Sequence, residues 1–208
     1  MKELNRNRQY GIIYGHDSAR YVQDGILFDA TGKLIDEVEA FARDTSRRTH
    51  APLFIPYLTG ERTPHNDPEA HGIFAGLRAE HEAVAMAYAV MEGVGFCFAY
   101  HFDILSDAGV ALKNCLLVGG GARSDFWGQM LADVIKFPLD LPEGAELGGA
   151  FGAARLAMLA AQVGSENEIC FKPKIKTRFM PDQARHDALL PRLARFRRLY
   201  KAEHTVRS

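Results

Sequence analysis

Between Cys115 and Val134 the chain runs from the short apolar segment Cys115-Leu116-Leu117-Val118 through Gly119-Gly120-Gly121 into a sequence with helical periodicity. The apolar segment has the character of a strand buried on both faces of a sheet. Trp127, Met130, Leu131 and Val134 recur at the i, i+3, i+4, i+7 spacing of one helix face, and Ser124 stands at the N-cap position. The spacing predicts a strand, a glycine turn and a helix in direct succession. Three residues without Cβ allow a ligand to lie on the main chain itself. Asp125 already places an anion in the first helical turn, where it repels phosphate, so an uncharged adenosine moiety suits this corner better. The same glycines also serve a plain tight turn, and the motif alone leaves both readings open.

The rest of the chain limits the alternatives. With 47% hydrophobic residues over 208 positions there is enough apolar material for a real core. A net charge of -1 gives no long-range attraction to nucleic acid or to an anionic membrane. Cys97, Cys115 and Cys170 form no C-x-x-C pair, which argues against a disulfide framework or zinc site and for a reducing, cytoplasmic setting. The opening residues Met1–Arg8 lack the apolar core of a secretory signal, and no run suggests the ~20 apolar residues of a membrane span. P-loop, H-E-x-x-H, G-x-S-x-G and G-x-G-x-x-G patterns do not occur, and the histidines show no metal-ligand spacing, so no protein-held metal is expected.

Along the chain, strands are predicted at Gly11–Tyr14, Tyr21–Phe28 and Leu53–Ile55, and a helix at Lys33–Arg43. Tyr57–Gly72 is polar and broken by Gly60, Pro64 and Pro68; Glu61, Arg62, His65, Asn66 and Asp67 make it either a solvated connection or a site. A long helix is predicted from His81 to Ser106, within which Gly93 and Gly95 imply close approach of another backbone or a substrate. Glu92, at the edge of its apolar stripe, reads as solvated or capped by a neighbour. A strand at Phe137–Leu141 and a helix at Leu147–Val163 follow; the smooth side of that helix, at Gly148 and Gly152 or at Gly149 and Ala153, suits packing on a sheet or a ligand contact. Leu189, Leu190, Leu193, Phe196, Leu199 and Tyr200 place a docked terminal helix at Asp182–His204.

Four of these segments, in order, resemble one family. Phe54–Asn66 is similar to its Pro-Tyr-Leu-x-Gly-Glu-Arg-Thr-Pro segment. Gly72–Leu77 continuing to Ala89–Gly93 resembles a second signature, with Ala85 where a polar or acidic residue is usual. Gly119–Ser124 with Trp127, Gln129, Ala132 and Asp133 resembles its adenosine motif, and Gly148–Ala154 the helix start that follows. The family is the FGGY carbohydrate kinases, within the actin-like ATPase superfamily.

The resemblance implies an α/β fold, the actin-like (ribonuclease H-like) C-terminal domain, with a mixed sheet flanked by helices. It divides the chain into a poorly matched segment 1–51, a nucleotide-binding domain 52–180 and a packed C-terminal helix 181–208. It implies ATP with Mg²⁺ carried on the nucleotide, and transfer of the γ-phosphoryl group to a ketopentose, D-xylulose foremost. Gly120, Gly121 and Ala122 would lie against the adenosine, Asp125 and Gln129 would edge its pocket, and Gly148 would help close it. The general base, the phosphate loops and most of the sugar site belong to an N-terminal domain of the family, and His16-Asp17-Ser18-Ala19 is a poor match to the second phosphate loop. No catalytic residue is therefore expected here, and sugar binding is expected only with that domain. Another FGGY substrate (glycerol, gluconate, ribulose or fuculose), a stand-alone nucleotide-binding or scaffold module, and self-association as a homodimer stay open.

Overall fold

In the computed structural model, residues 33–207 are described; the strands expected at 11–14 and 21–28, and His16–Ala19, lie outside them. The order is α1 (Lys33–Arg43), α2 (Thr45–His50), β1 (Leu53–Ile55), β2 (Ile73–Ala75), α3 (Ala83–Asp107), α4 (Asp125–Ile135), β3 (Leu139–Pro142), α5 (Gly148–Ala160), α6 (Glu166–Ile169), β4 (Ile175–Phe179) and α7 (Gln183–Arg207). Single 3₁₀ turns at Gly120–Arg123 and Ala145–Leu147 precede α4 and α5.

The organising element is α3, which packs against α1, α4, α7 and β1. A helix covered on several sides is apolar all round. By length and composition α3 could cross a bilayer, contrary to the expectation that no such run exists. Its buried Tyr88, Met91, Glu92 and Phe96 identify it instead as a core helix. Gly93 is where β1 comes close: a Cβ there would lie 2.2 Å from the Phe54 carbonyl oxygen. Gly95 meets only ordinary contact, 3.5 Å to Val134.

Glu92 departs from its expected place at a solvated edge: it is 0% exposed. Both of its oxygens accept from Arg192 of α7, at 2.6 Å each, and the Tyr88 hydroxyl donates to it at 3.0 Å. The remaining Arg192 donors go to the carbonyls of Thr49, Ala51 and Pro52. Desolvation demands such complete pairing of a buried charge. The partner lies 100 residues away, beyond the reach of local pattern.

One core joins Val38 and Phe41 of α1 to Ile55, Tyr88, Phe96, Leu193 and Phe196. The boundary expected at residue 52 thus falls inside a single packed unit. A second core gathers Leu117, Ala122, Leu131, Leu139, Leu141 and Phe179, and Trp127 and Ile135 of α4 touch both.

Among the described residues the sheet structure is two antiparallel ribbons, β1–β2 (Leu53↔Ala75) and β3–β4 (Leu139↔Phe179), the second irregular at Leu141/Pro142. Cys115–Val118 is not a strand buried on both faces. It meets β3 through one parallel bridge, Leu116↔Asp140, with Leu117 N–H donating to the Asp140 carbonyl at 2.8 Å. Only Leu117 is buried; Leu116 and Val118 are exposed, the alternation of a half-covered edge. β3 starts later than expected because Phe137 N–H still bonds the Ala132 carbonyl across the left-handed Lys136 that ends α4. α5 has no buried residue, so the sheet packing expected of its smooth side is not found.

Candidate functional site

The two 3₁₀ turns meet at one corner. Gly119, at φ +96°, donates its N–H to the Ala145 carbonyl at 2.7 Å. Gly144 and Gly148 also take positive φ, +72° and +48°, and bracket the second turn. These are conformations that side chains resist. A Cβ on Gly148 would lie 3.6 Å from the Gly119 Cα, so the turns abut main chain to main chain. The Ser124 hydroxyl accepts from Trp127 N–H at 3.1 Å and caps α4 as expected.

The outer surface of this corner is bare backbone. Nothing lies within 4 Å of a Cβ position on Gly119, Gly149 or Gly152. The apolar side chains of Val118 and Leu147 flank it, 55% and 53% exposed. Bare main chain beside two exposed apolar side chains offers peptide donors and acceptors next to apolar area.

Of the residues expected at the site, Gly120, Gly121 and Ala122 form the first turn and Gly148 closes the second against it. Gly121 faces inward, where a Cβ would lie 2.9 Å from the Trp127 Nε1, and Ala122 is buried in the second core. Asp125 stands exposed in the first turn of α4. Gln129 is occupied elsewhere: its amide donates to Asp133 Oδ1 at 2.7 Å and to the Met180 carbonyl at 2.8 Å. It lines a separate cleft of about 540 Å³ between α1, α4 and α7. Of the three arginines lining that cleft, Arg43 pairs with Glu39, Arg185 with Asp133, and Arg48 donates to the Ala42 carbonyl. Gly119 belongs to the glycine turn singled out in the sequence and Gly149 to the smooth helix side; Leu147 beside them was not anticipated, and the signal for the second turn was Gly144 following Pro142-Glu143.

The polar loop after β1 is built inward. Glu61 and Asp67 exchange both backbone bonds, at 2.8 and 2.7 Å, and Glu61 Oε2 accepts the His65 N–H. Tyr200 and Arg207 of α7 donate to the Asp67 carboxylate, which Arg207 in particular holds down at about 2. Near the glycine corner, burial pushes the Cys115 thiol up, away from the thiolate form. Among the described residues no three His, Cys, Asp or Glu side chains gather as a metal cage.

The family model for the C-terminal domain of the FGGY carbohydrate kinases matches residues 22–161. The chain belongs to the FGGY family of carbohydrate kinases. The xylulose kinase of Escherichia coli K12 is 42% identical over 163 residues, which cover 78% of this chain and 34% of that protein. The xylulose kinase of Klebsiella pneumoniae is 38% identical over 161 residues, 76% of this chain and 33% of its own length. Among solved structures, a xyloylose kinase from Brucella ovis superposes with a TM-score of 0.65 at 33% identity, covering 87% of this chain and 39% of that one. The 208 residues thus span about a third of the length of the curated FGGY relatives they match.

Proposed function

We propose that this chain is the nucleotide-facing part of an ATP-dependent sugar kinase that phosphorylates a ketopentose, D-xylulose. The observation that carries the nucleotide role is the bare main chain at Gly119 and Gly149, held open between Val118 and Leu147. The adenine ring lies over it, with Gly120, Gly121 and Ala122 forming the wall beneath and Gly148 keeping the second turn close enough to complete it. Asp125 keeps phosphate away from the α4 N-terminus and so directs the phosphate tail outward, toward a first domain.

The names of the relatives and the Gly60-Glu61-Arg62-Thr63-Pro64 segment support D-xylulose as the acceptor. Phosphoryl transfer rests on positioning and charge neutralisation. In this assignment Mg²⁺ arrives on the nucleotide phosphates and neutralises them there. The residues of this part hold the nucleoside and exclude water from one side of it, while the base that takes the sugar hydroxyl proton lies on the other domain.

Calorimetry with ADP and a coupled assay with ATP and D-xylulose test the assignment on the 208 residues. Weak ADP binding without turnover is the expected result. Turnover by protein free of host kinase would overturn the division of labour, and no heat at millimolar ADP from folded protein would favour a scaffold module. In a polypeptide carrying both domains, ADP release is expected to be faster with D-xylulose than with glycerol or gluconate; the reverse order rejects the sugar assignment.

A further inference from the structure

The loop after β1 contains a histidine in an unusual enclosure. The His65 ring stacks on Tyr200 of α7, with centroids 3.7 Å apart and planes 17° from parallel. Tyr57 and Tyr100 meet the same ring edge-on, at 6.0 and 5.2 Å. Its Nε2 is buried and has no hydrogen-bond partner. A neutral imidazole tolerates this, with its hydrogen on Nδ1 and a bare lone pair at Nε2. An imidazolium does not, because both nitrogens then carry hydrogens and a charged donor at Nε2 is left unsatisfied.

We infer that His65 is a proton-sensitive lock between the 57–72 loop and the C-terminal turns of α7: the neutral ring holds the two together, and protonation releases them. The contacts that would open with it are local. The Tyr57–Tyr200 and His65–Tyr200 ring contacts and the Tyr200 and Arg207 bonds to Asp67 all join the loop side to the last turns of α7.

The charges around the ring oppose one another. Glu61 and Asp67 of the loop favour the charged form; His204 and Lys201 of α7 disfavour it, and Arg207 is spent on Asp67 and Glu203. From α3, Tyr100 is held neutral, as is Tyr57 at the start of the loop, both by burial. His101 of α3 contacts the Thr63 carbonyl and Arg197 of α7 pairs with Asp103. A cation on the Tyr200 face gains some attraction, but burial is the largest influence and moves the imidazole below its ordinary range. The linkage has one sign. The folded protein binds the His65 proton less readily than the unfolded chain, so this stabilisation is complete above about pH 6.5 and is lost as pH falls below it.

Amide hydrogen exchange of the 208-residue chain at pH 7.5 and pH 5, corrected for intrinsic rates, tests the lock. Exchange at Glu61, Asn66, Asp67 and the last two turns of α7 is expected to accelerate at pH 5, by about tenfold for each pKa unit of displacement. The β3–β4 amides should not change with it. His65→Phe, which keeps a ring in the stack but cannot titrate, is expected to abolish the step. Equal protection of the loop at both pH values in the wild type, or an undiminished step in the variant, overturns the proposal. Direct NMR titration of the His65 ring gives a reading independent of whether the variant folds: a midpoint at or above 6.5 also overturns it.

Discussion

Replacing Arg192 with methionine isolates a buried charged contact that ties α7 to α3 and to the chain ahead of β1. Arg192 makes two bonds to Glu92 and three more to the carbonyls of Thr49, Ala51 and Pro52, and side-chain exposure at the pair is 5% and 1%. Methionine fills much of the volume but leaves the Glu92 carboxylate buried without its cation. Breaking a buried pair on one side costs roughly 3–5 kcal/mol, a large part of the 5–15 kcal/mol that typically holds a domain folded. The loss should depend on pH. Burial already pushes the Glu92 carboxyl up, and without Arg192 nothing of comparable strength opposes that. A carboxyl whose folded pKa is raised contributes stability at low pH that disappears as pH rises through that pKa. The variant should therefore regain stability from pH 7 to pH 5, by at most about 1.4 kcal/mol per pH unit. Urea unfolding at both pH values measures this. The double variant Arg192→Met with Glu92→Leu should recover most of the loss, because removing both charges removes the unpaired one. A loss under about 1 kcal/mol at pH 7, a larger loss at pH 5, or no rescue in the double variant would refute the reasoning.

Other substitutions probe the packing that positions the glycine corner. Gly93→Ala forces a methyl into the Phe54 carbonyl and should cost about 3 kcal/mol, whereas Gly95→Ala meets ordinary contact and should gain up to about 1 kcal/mol of helix propensity. Equal urea midpoints for the two would contradict the close approach of β1 to α3. Ser124→Ala removes the cap of α4 and should cost about 1 kcal/mol in the same assay; no change would mean that the cap does not hold the helix start.

Much of this was legible locally. α1 carries its own helical periodicity, β1 is a short apolar run bounded by prolines, and α3 is long enough for its apolar pattern to dominate. Ser124 was recognisable as a cap because a cap is defined by its immediate neighbours. What could not be read was non-local. Glu92 looked like an edge residue because its guanidinium partner is on α7. Cys115–Val118 looked doubly buried because composition reports hydrophobicity and not how many neighbours arrive. The smooth side of α5 read as a packing surface or a ligand contact, and spacing alone does not show that the packing partner is absent among the described residues. Gln129 was assigned to the corner through the family's motif, and its amide is instead taken up by Asp133 and the chain at Met180, contacts that spacing does not reveal.

On the proposed assignment, a nucleoside lies on the backbone of the two abutting turns. Amide NMR of the chain titrated with ADP tests it most directly, alongside Gly149→Leu, whose side chain enters space empty in the protein and should leave the fold intact. ADP-dependent shifts are expected at Gly119–Ala122 and at Gly148 and Gly149, and are expected to be abolished in the variant. Shifts confined to the Gln129 cleft, or the same binding by the variant and the wild type, would contradict it.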